Sequence, residues 1–198
     1  FKNKNIFKFE GDVIVTEINA CEEVNYSTTI YHCDGTLSLF IFEKERESTT
    51  KQNTIVVLNK EGQKAFVNIV IQAQEGQKRD DYIEFQHSCK NTYSEVNYLC
   101  LNNGIVTSQA NSLLDVASRQ SESYQNLKHI LLSEKAKSYA KPNLMIQNPD
   151  VMAKHGTNIG SLNENSLEYL QMRGIDKETG KLIIQKSLIE GAIDKHPQ

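Results

Sequence analysis

Short runs rich in β-branched and aromatic residues recur about every ten residues, and no helical spacing appears before residue 162. That pattern restricts the chain to an architecture of many short strands. The runs are DVIVTEIN from Asp12 to Asn19, TTIYH from Thr28 to His32, and TLSLFIFE from Thr36 to Glu43. They continue with Thr54–Leu58, Ala65–Ile71, Tyr82–His87, Ser94–Leu101 and Gly104–Gln109. Cys33-Asp34-Gly35 and Asn59-Lys60-Glu61-Gly62 read as turns between them. Leu37, Leu39 and Ile41 share one face of their strand while Phe40 and Phe42 share the other, as in a strand covered on both sides. The polar stretches Glu43–Asn53 and Gln74–Asp81 read as connectors. Between Asn111 and Leu132 the apolar residues are clumped rather than helically spaced, so this part reads as strand, loop, strand. Sandwich, barrel and solenoid all accommodate such runs. No tight sequence repeat marks the strands, so a solenoid would be an irregular one.

After residue 160 the spacing changes. Ser161-Leu162-Asn163-Glu164 fits a capping box, and Leu167, Leu170 and Tyr169 give the following helix an apolar side. Arg173-Gly174 supplies a cation and a left-handed cap at its end. Asp176 then caps a second helix in which Leu182, Ile183, Ile189 and Ile193 recur at helical intervals. Gly180 inside it carries a propensity cost of about 1 kcal/mol. The expected division is a β core over 1–160 and a helical unit over 161–198.

Composition removes several classes of function. A formal charge of −3, with Lys and Asp/Glu interspersed, gives no basic field for nucleic acid. No apolar run approaches the roughly 18 residues of a membrane span, and no leader pattern is present. Cys21, Cys33, Cys89 and Cys100 lack metal-motif spacing and are too sparse for a disulfide framework, so each reads as a small buried hydrophobe. This fits a reducing compartment, the cytoplasm or an organelle such as a plastid. The first residue is Phe1, consistent with a processed or truncated piece of a longer protein.

The stretch Lys141–Ile175, KPNLMIQNPDVMAKHGTNIGSLNENSLEYLQMRGI, carries the specific signal. It resembles the C-terminal signature of the SufB/SufD family of iron–sulfur cluster assembly scaffolds, a D-V-x-x-x-H-G-A-T-x-G step followed by Y-L-x-x-R-G-I/L. Pro142, Asp150, Val151, His155, Gly156, Ile159, Gly160, Tyr169, Leu170, Arg173, Gly174 and Ile175 supply the matching letters. Asn126–Lys137 resembles the family's N-x-x-L-L-L-S-x-x-A segment. The His-Gly pair resembles the SufD branch. The SufB branch more often has His-Glu there and carries a cysteine where this chain has Tyr124–Lys128.

The resemblance implies a right-handed parallel β-helix with a small C-terminal helical unit, acting as a non-catalytic scaffold. It implies pairing with a SufB-like subunit or a second copy, and a SufC-like ATPase docked on the helical region through Tyr169, Leu170, Arg173, Gly174 and Ile175. It also implies an iron–sulfur cluster, transient and shared across subunits, with His155 as this chain's ligand candidate.

Read from the residues alone, Val151, Ala153 and His155 share a strand face, and Gly156 frees the backbone to turn at a strand end. His155 there is either an iron ligand or a histidine bonded to a corner carbonyl. One histidine cannot hold a cluster, so any such site is shared between subunits. His87 and Cys89, two apart, would share a face and form a weaker metal candidate; the bland alternative is a core cysteine beside a packed histidine. His129 among leucines reads as a satisfied strand histidine. Ser121, Ser123 and the scattered aspartates make no nucleophile–base set, and no phosphate loop is present. The alternative function is a carbohydrate-active β-helix enzyme, which would need paired carboxylates; Asp80 and Asp81 are adjacent but fall in an expected loop.

Overall fold

Residues 3–19, 26–44 and 49–193 are described by the structure, a computed structural model. The chain runs through β1 (Asn3–Phe9), β2 (Val13–Asn19), β3 (Tyr26–Cys33), β4 (Thr36–Lys44), β5 (Thr49–Leu58) and β6 (Lys64–Ala73). It continues with β7 (Lys78–His87), β8 (Tyr93–Asn102), β9 (Ile105–Leu114), β10 (Ser121–Leu131), β11 (Lys137–Ile146) and β12 (Val151–Ser161). Helices α1 (Glu164–Met172) and α2 (Lys177–Ile193) follow. Odd-numbered strands make one six-stranded sheet, β1-β3-β5-β7-β9-β11, and even-numbered strands the other, β12-β10-β8-β6-β4-β2. Pairing is parallel throughout. Each coil therefore lays one strand in each sheet and stacks on the coil before it. This is the expected parallel β-solenoid, followed by two helices.

Register explains why the alternation works. Lys64 lies opposite Tyr93, and Tyr93 opposite Glu122, a step of 29 residues in these coils, against 24 from Val13 to Leu37 and 32 from Ile105 to Lys137. In-register stacking keeps each row of side chains on one face through successive coils. One inward row runs Leu39, Val67, Val96 and a second Leu37, Ala65, Ser94. With Val56, Ile83, Phe85, Val106 and Leu127 they fill the interior, each large side chain contributing roughly 1.5–3 kcal/mol by leaving water. Outside the second sheet Val70, Leu99, Leu101 and Ile130 form another cluster. Phe40, Phe42, Leu162, Leu188, Ile189 and Ala192 pack against it, so β4 is covered on both faces and α2 is fastened to the sheet.

Several boundaries differ from the sequence reading. β1 has only the weak apolar signal of Ile6, Phe7 and Phe9, and it pairs along its length with β3. β5 starts at Thr49 and β7 at Lys78, inside the stretches taken as connectors. These extensions bury polar side chains, which erase hydrophobic alternation. Arg79 is enclosed and ion-pairs with Glu43 on β4 and with Asp81, its Nε 2.7 Å from Asp81 Oδ2. Gln52 Oε1 accepts from Arg79 at 3.1 Å, and the Tyr98 hydroxyl donates to Asp81. The flanking carboxylates keep the Arg79 guanidinium protonated against the pull of burial.

The first helix cap also moves. Ser161 is the last residue of β12, and the cap is Asn163, whose Oδ1 accepts from the Ser166 N–H at 3.2 Å. Gly174 (φ 84°) ends α1: its N–H donates to the Gln171 carbonyl at 2.9 Å and that of Ile175 to the Leu170 carbonyl at 3.1 Å. Asp176 caps α2 as read, accepting from the N–H groups of Glu178 and Thr179 at 3.1 and 3.0 Å. On α2 the face against the sheet is Leu188, Ile189 and Ala192, whereas Leu182, Ile183 and Ile193 are exposed. Gly180 is where α1 meets α2, and a Cβ there would lie 2.9 Å from Leu167 Cδ1. The atom it would meet is the movable end of a leucine side chain.

Candidate functional site

β11 and β12 are the outermost strands of the two sheets at the C-terminal end of the solenoid. No described coil covers them. Val151, Ala153, His155, Thr157 and Ile159 stand in register over the buried Ser121, Ser123, Gln125, Leu127 and His129 of β10. They therefore continue the inward row, yet they are partly or fully exposed. His155 shares its face with Val151 and Ala153, as expected. It is not at a strand terminus, however: β12 runs on through Gly156 to Ser161, so the His-Gly step lies mid-strand on an open edge. Pro142 lies on β11, the kind of edge strand where a sheet admits proline. Tyr139, Met145, Ile146, Met152 and Ile159, all on these two strands, are exposed large apolar residues.

Below this end the interior turns polar. Gln125 Nε2 donates to Ser112 Oγ at 2.7 Å and to the Asn143 carbonyl at 3.1 Å. Ser123 Oγ donates to Ser112 Oγ at 2.6 Å and lies 2.8 Å from Ser94 Oγ, which lies 2.8 Å from His87 Nε2. His87 Nδ1 is 2.8 Å from Thr92 Oγ1. A continuous chain of buried hydrogen bonds thus joins His87 to the row beneath His155. Sequence reading passed over Ser94, Ser112 and Gln125, and saw in Ser121 and Ser123 only the lack of a catalytic set. Ser94 and Ser123, 29 residues apart, were the available signal.

The weaker metal pair is not assembled. His87 ends β7 and is fully buried with both ring nitrogens engaged by hydroxyls, whereas Cys89 is in the following turn and not on the strand. Burial holds the His87 imidazole down at about 4, against the opposing Asp115 charge. His129 is half satisfied: Nε2 lies 2.7 Å from Ser108 Oγ, the ring stacks on Tyr98 at 5.4 Å, and Nδ1 has no partner. Burial lowers it to about 4 as well. Cys33 and Cys100 are buried, as small core residues are, and Cys33 Sγ donates to the Gly11 carbonyl at 3.0 Å; Cys21 lies outside the described residues. Among the described residues no three His, Cys, Asp or Glu side chains group into a metal site.

The helical pair presents the other surface. Tyr169, Met172, Leu182 and Ile183 are exposed, while Leu170 and Ile175 are half-buried. The Arg173 guanidinium sits 5.2 Å over the Tyr169 ring, a cation–π contact that fixes both side chains at the end of α1. Among the described residues no helix is long and apolar enough to cross a membrane.

A two-sheet parallel solenoid with an end that no described coil covers and a helical pair on one flank defines the class: a β-solenoid with an exposed strand edge and an exposed helical face. The family model described as "SUF system FeS cluster assembly, SufBD core domain" matches residues 14–187, and the chain belongs to that family. It is similar to the chloroplastic protein ABCI7 of Arabidopsis thaliana, 38% identical over 79 residues, covering 40% of this chain and 17% of that protein. It is also similar to the iron–sulfur cluster assembly protein SufD of Bacillus subtilis, 27% identical over 103 residues, covering 49% of this chain and 24% of that one. The chain thus matches less than a quarter of the length of either relative.

Proposed function

We propose that this chain is a SufD-like, non-catalytic scaffold subunit of iron–sulfur cluster assembly. Its open end pairs with a SufB-like subunit or a second copy, and its helical unit, 161–198, docks a SufC-like ATPase. The cluster is cargo, held transiently between subunits in the cytoplasm or a plastid. His155 is this chain's contribution to its ligands, and the partner supplies the rest.

The observation that carries this reading is the placement of His155. It is the one imidazole of the inward row that stands exposed on the uncovered strand, where an added strand would enclose it. Imidazole suits iron, and an exposed ring can turn a nitrogen to it. Of the two edges, β12 lacks proline along its whole length, so its backbone is the more open to strand addition. Exposed Tyr169, Met172, Leu182 and Ile183 give the helical pair an apolar surface of the kind partners cover. The carbohydrate-enzyme alternative finds no support, because Asp81 is locked in its ion pair with Arg79 while Asp80 is exposed.

Reconstitution with SufB-like and SufC-like proteins tests it. His155→Ala should leave the assembly intact on size-exclusion chromatography while lowering its iron content after anaerobic loading. Unchanged iron removes His155 from the ligand set, and failure to co-elute with either protein ends the scaffold reading.

A further inference from the structure

We infer that Gln125 is the positioning residue for His155: its side-chain oxygen accepts an N–H from the imidazole and leaves the second ring nitrogen, deprotonated, facing out of the open end. As far as metal is concerned, this rests on the reading of His155 as a ligand. The hydrogen bond itself does not.

Gln125 is only 3% exposed, and both of its amide hydrogens are placed, one on Ser112 Oγ and one on the Asn143 carbonyl. Those bonds fix which end of the carboxamide is nitrogen, and they leave Oε1 buried without a donor. A buried acceptor in that state is costly, so a donor within reach is favoured. The row offers one on one side only. In the coil before, Gln125 faces Val96, which has nothing to donate; in the coil after, it faces His155. The His155 ring is exposed and free to rotate, whereas Gln125 is held by Ser112, itself bonded to Ser123 and through it to Ser94 and His87. A rigid acceptor under a mobile imidazole selects one tautomer of that imidazole. Metal-bound histidines ordinarily give their second N–H to such an oxygen, which orients the ring and raises its basicity.

The test uses the full chain, metal-free and labelled with 15N-histidine, at a pH where imidazole is neutral. Long-range 1H–15N correlation spectra report the tautomer, and His155→Ala assigns the signals. The native chain should show His155 with one protonated and one bare nitrogen. Gln125→Met should return it to the averaged pair of a free imidazole, and Gln125→Glu, which keeps an acceptor, should restore a single tautomer. Averaged nitrogens in the native chain overturn the proposal even if Gln125→Met does not fold.

In the assembly with a SufB-like partner, Gln125→Met should weaken retention of Fe(II) about 10- to 100-fold, with Gln125→Glu recovering most of it. A single tautomer whose loss leaves Fe(II) retention unchanged overturns the metal-positioning role. If His155→Ala alone leaves retention unchanged, the ligand reading falls while the Gln125–His155 bond stands on its spectrum. Averaged nitrogens with His155-dependent iron give the reverse.

Discussion

Three histidines show how much surroundings decide. His87 and His129 are enclosed and held neutral by burial at about 4, while His155 stands at the open end. In the unfolded chain the first two titrate near 6.5, so between roughly pH 6.5 and 4 the unfolded state binds more protons than the folded one. Stability is therefore full above that window and falls as pH drops through it, by an amount on the order of 3 kcal/mol for each histidine. Urea midpoints measured from pH 7.5 to 4.5 should decline, and His87→Gln should flatten the decline. At this scale the sequence revealed that Val151, Ala153 and His155 share a face, because a period of two is local. It could not reveal that β12 passes through Gly156 and Gly160. Glycine and asparagine are turn letters, and only pairing with β10 keeps that stretch extended.

At the scale of elements, the interiors of strands and the helix stop were legible, and the polar ends of β5 and β7 were not. Thr50, Arg79 and Asp81 point into the solenoid, where the sequence pattern leads one to expect apolar residues. Nothing local announces that Arg79 and Asp81 will find partners in other coils. Gly180 was legible as a defect only. Its alanine variant sets about 1 kcal/mol of helix propensity against a Cβ that meets the movable end of Leu167, so Gly180→Ala should be near neutral. Gly180→Phe should lift α1 off α2, seen as loss of amide protection confined to 164–172, with the strands unaffected.

Across the whole molecule, Arg79 ties together β4, β5 and β7 by bonding Glu43, Gln52 and Asp81. Removing the cation leaves two carboxylates buried beside each other. Arg79→Met should cost about 3–5 kcal/mol in equilibrium denaturation, far more than the same change at exposed Lys78. The solenoid was one of three architectures the strand runs allowed. What concealed it was a repeat carried by position rather than by letter. Asn68, Asn97 and Asn126 do recur 29 residues apart and stand opposite one another, but their neighbours along the strands differ.

The 29-residue step from β6 through β8 to β10 sets which change of chain length this part of the solenoid can absorb. Excising 93–121 would join Thr92 to Glu122 and remove β8 and β9 together. Asn126 would then stand over Asn68, and β11 beside β7, with every remaining side chain on its original face. Excising half as much would strand one sheet a member short and leave the other unchanged. Insertions and deletions in such a solenoid are thus quantised: length is gained or lost by whole coils, and a coil that carries Leu99 and Leu101 takes part of the seat of α2 with it.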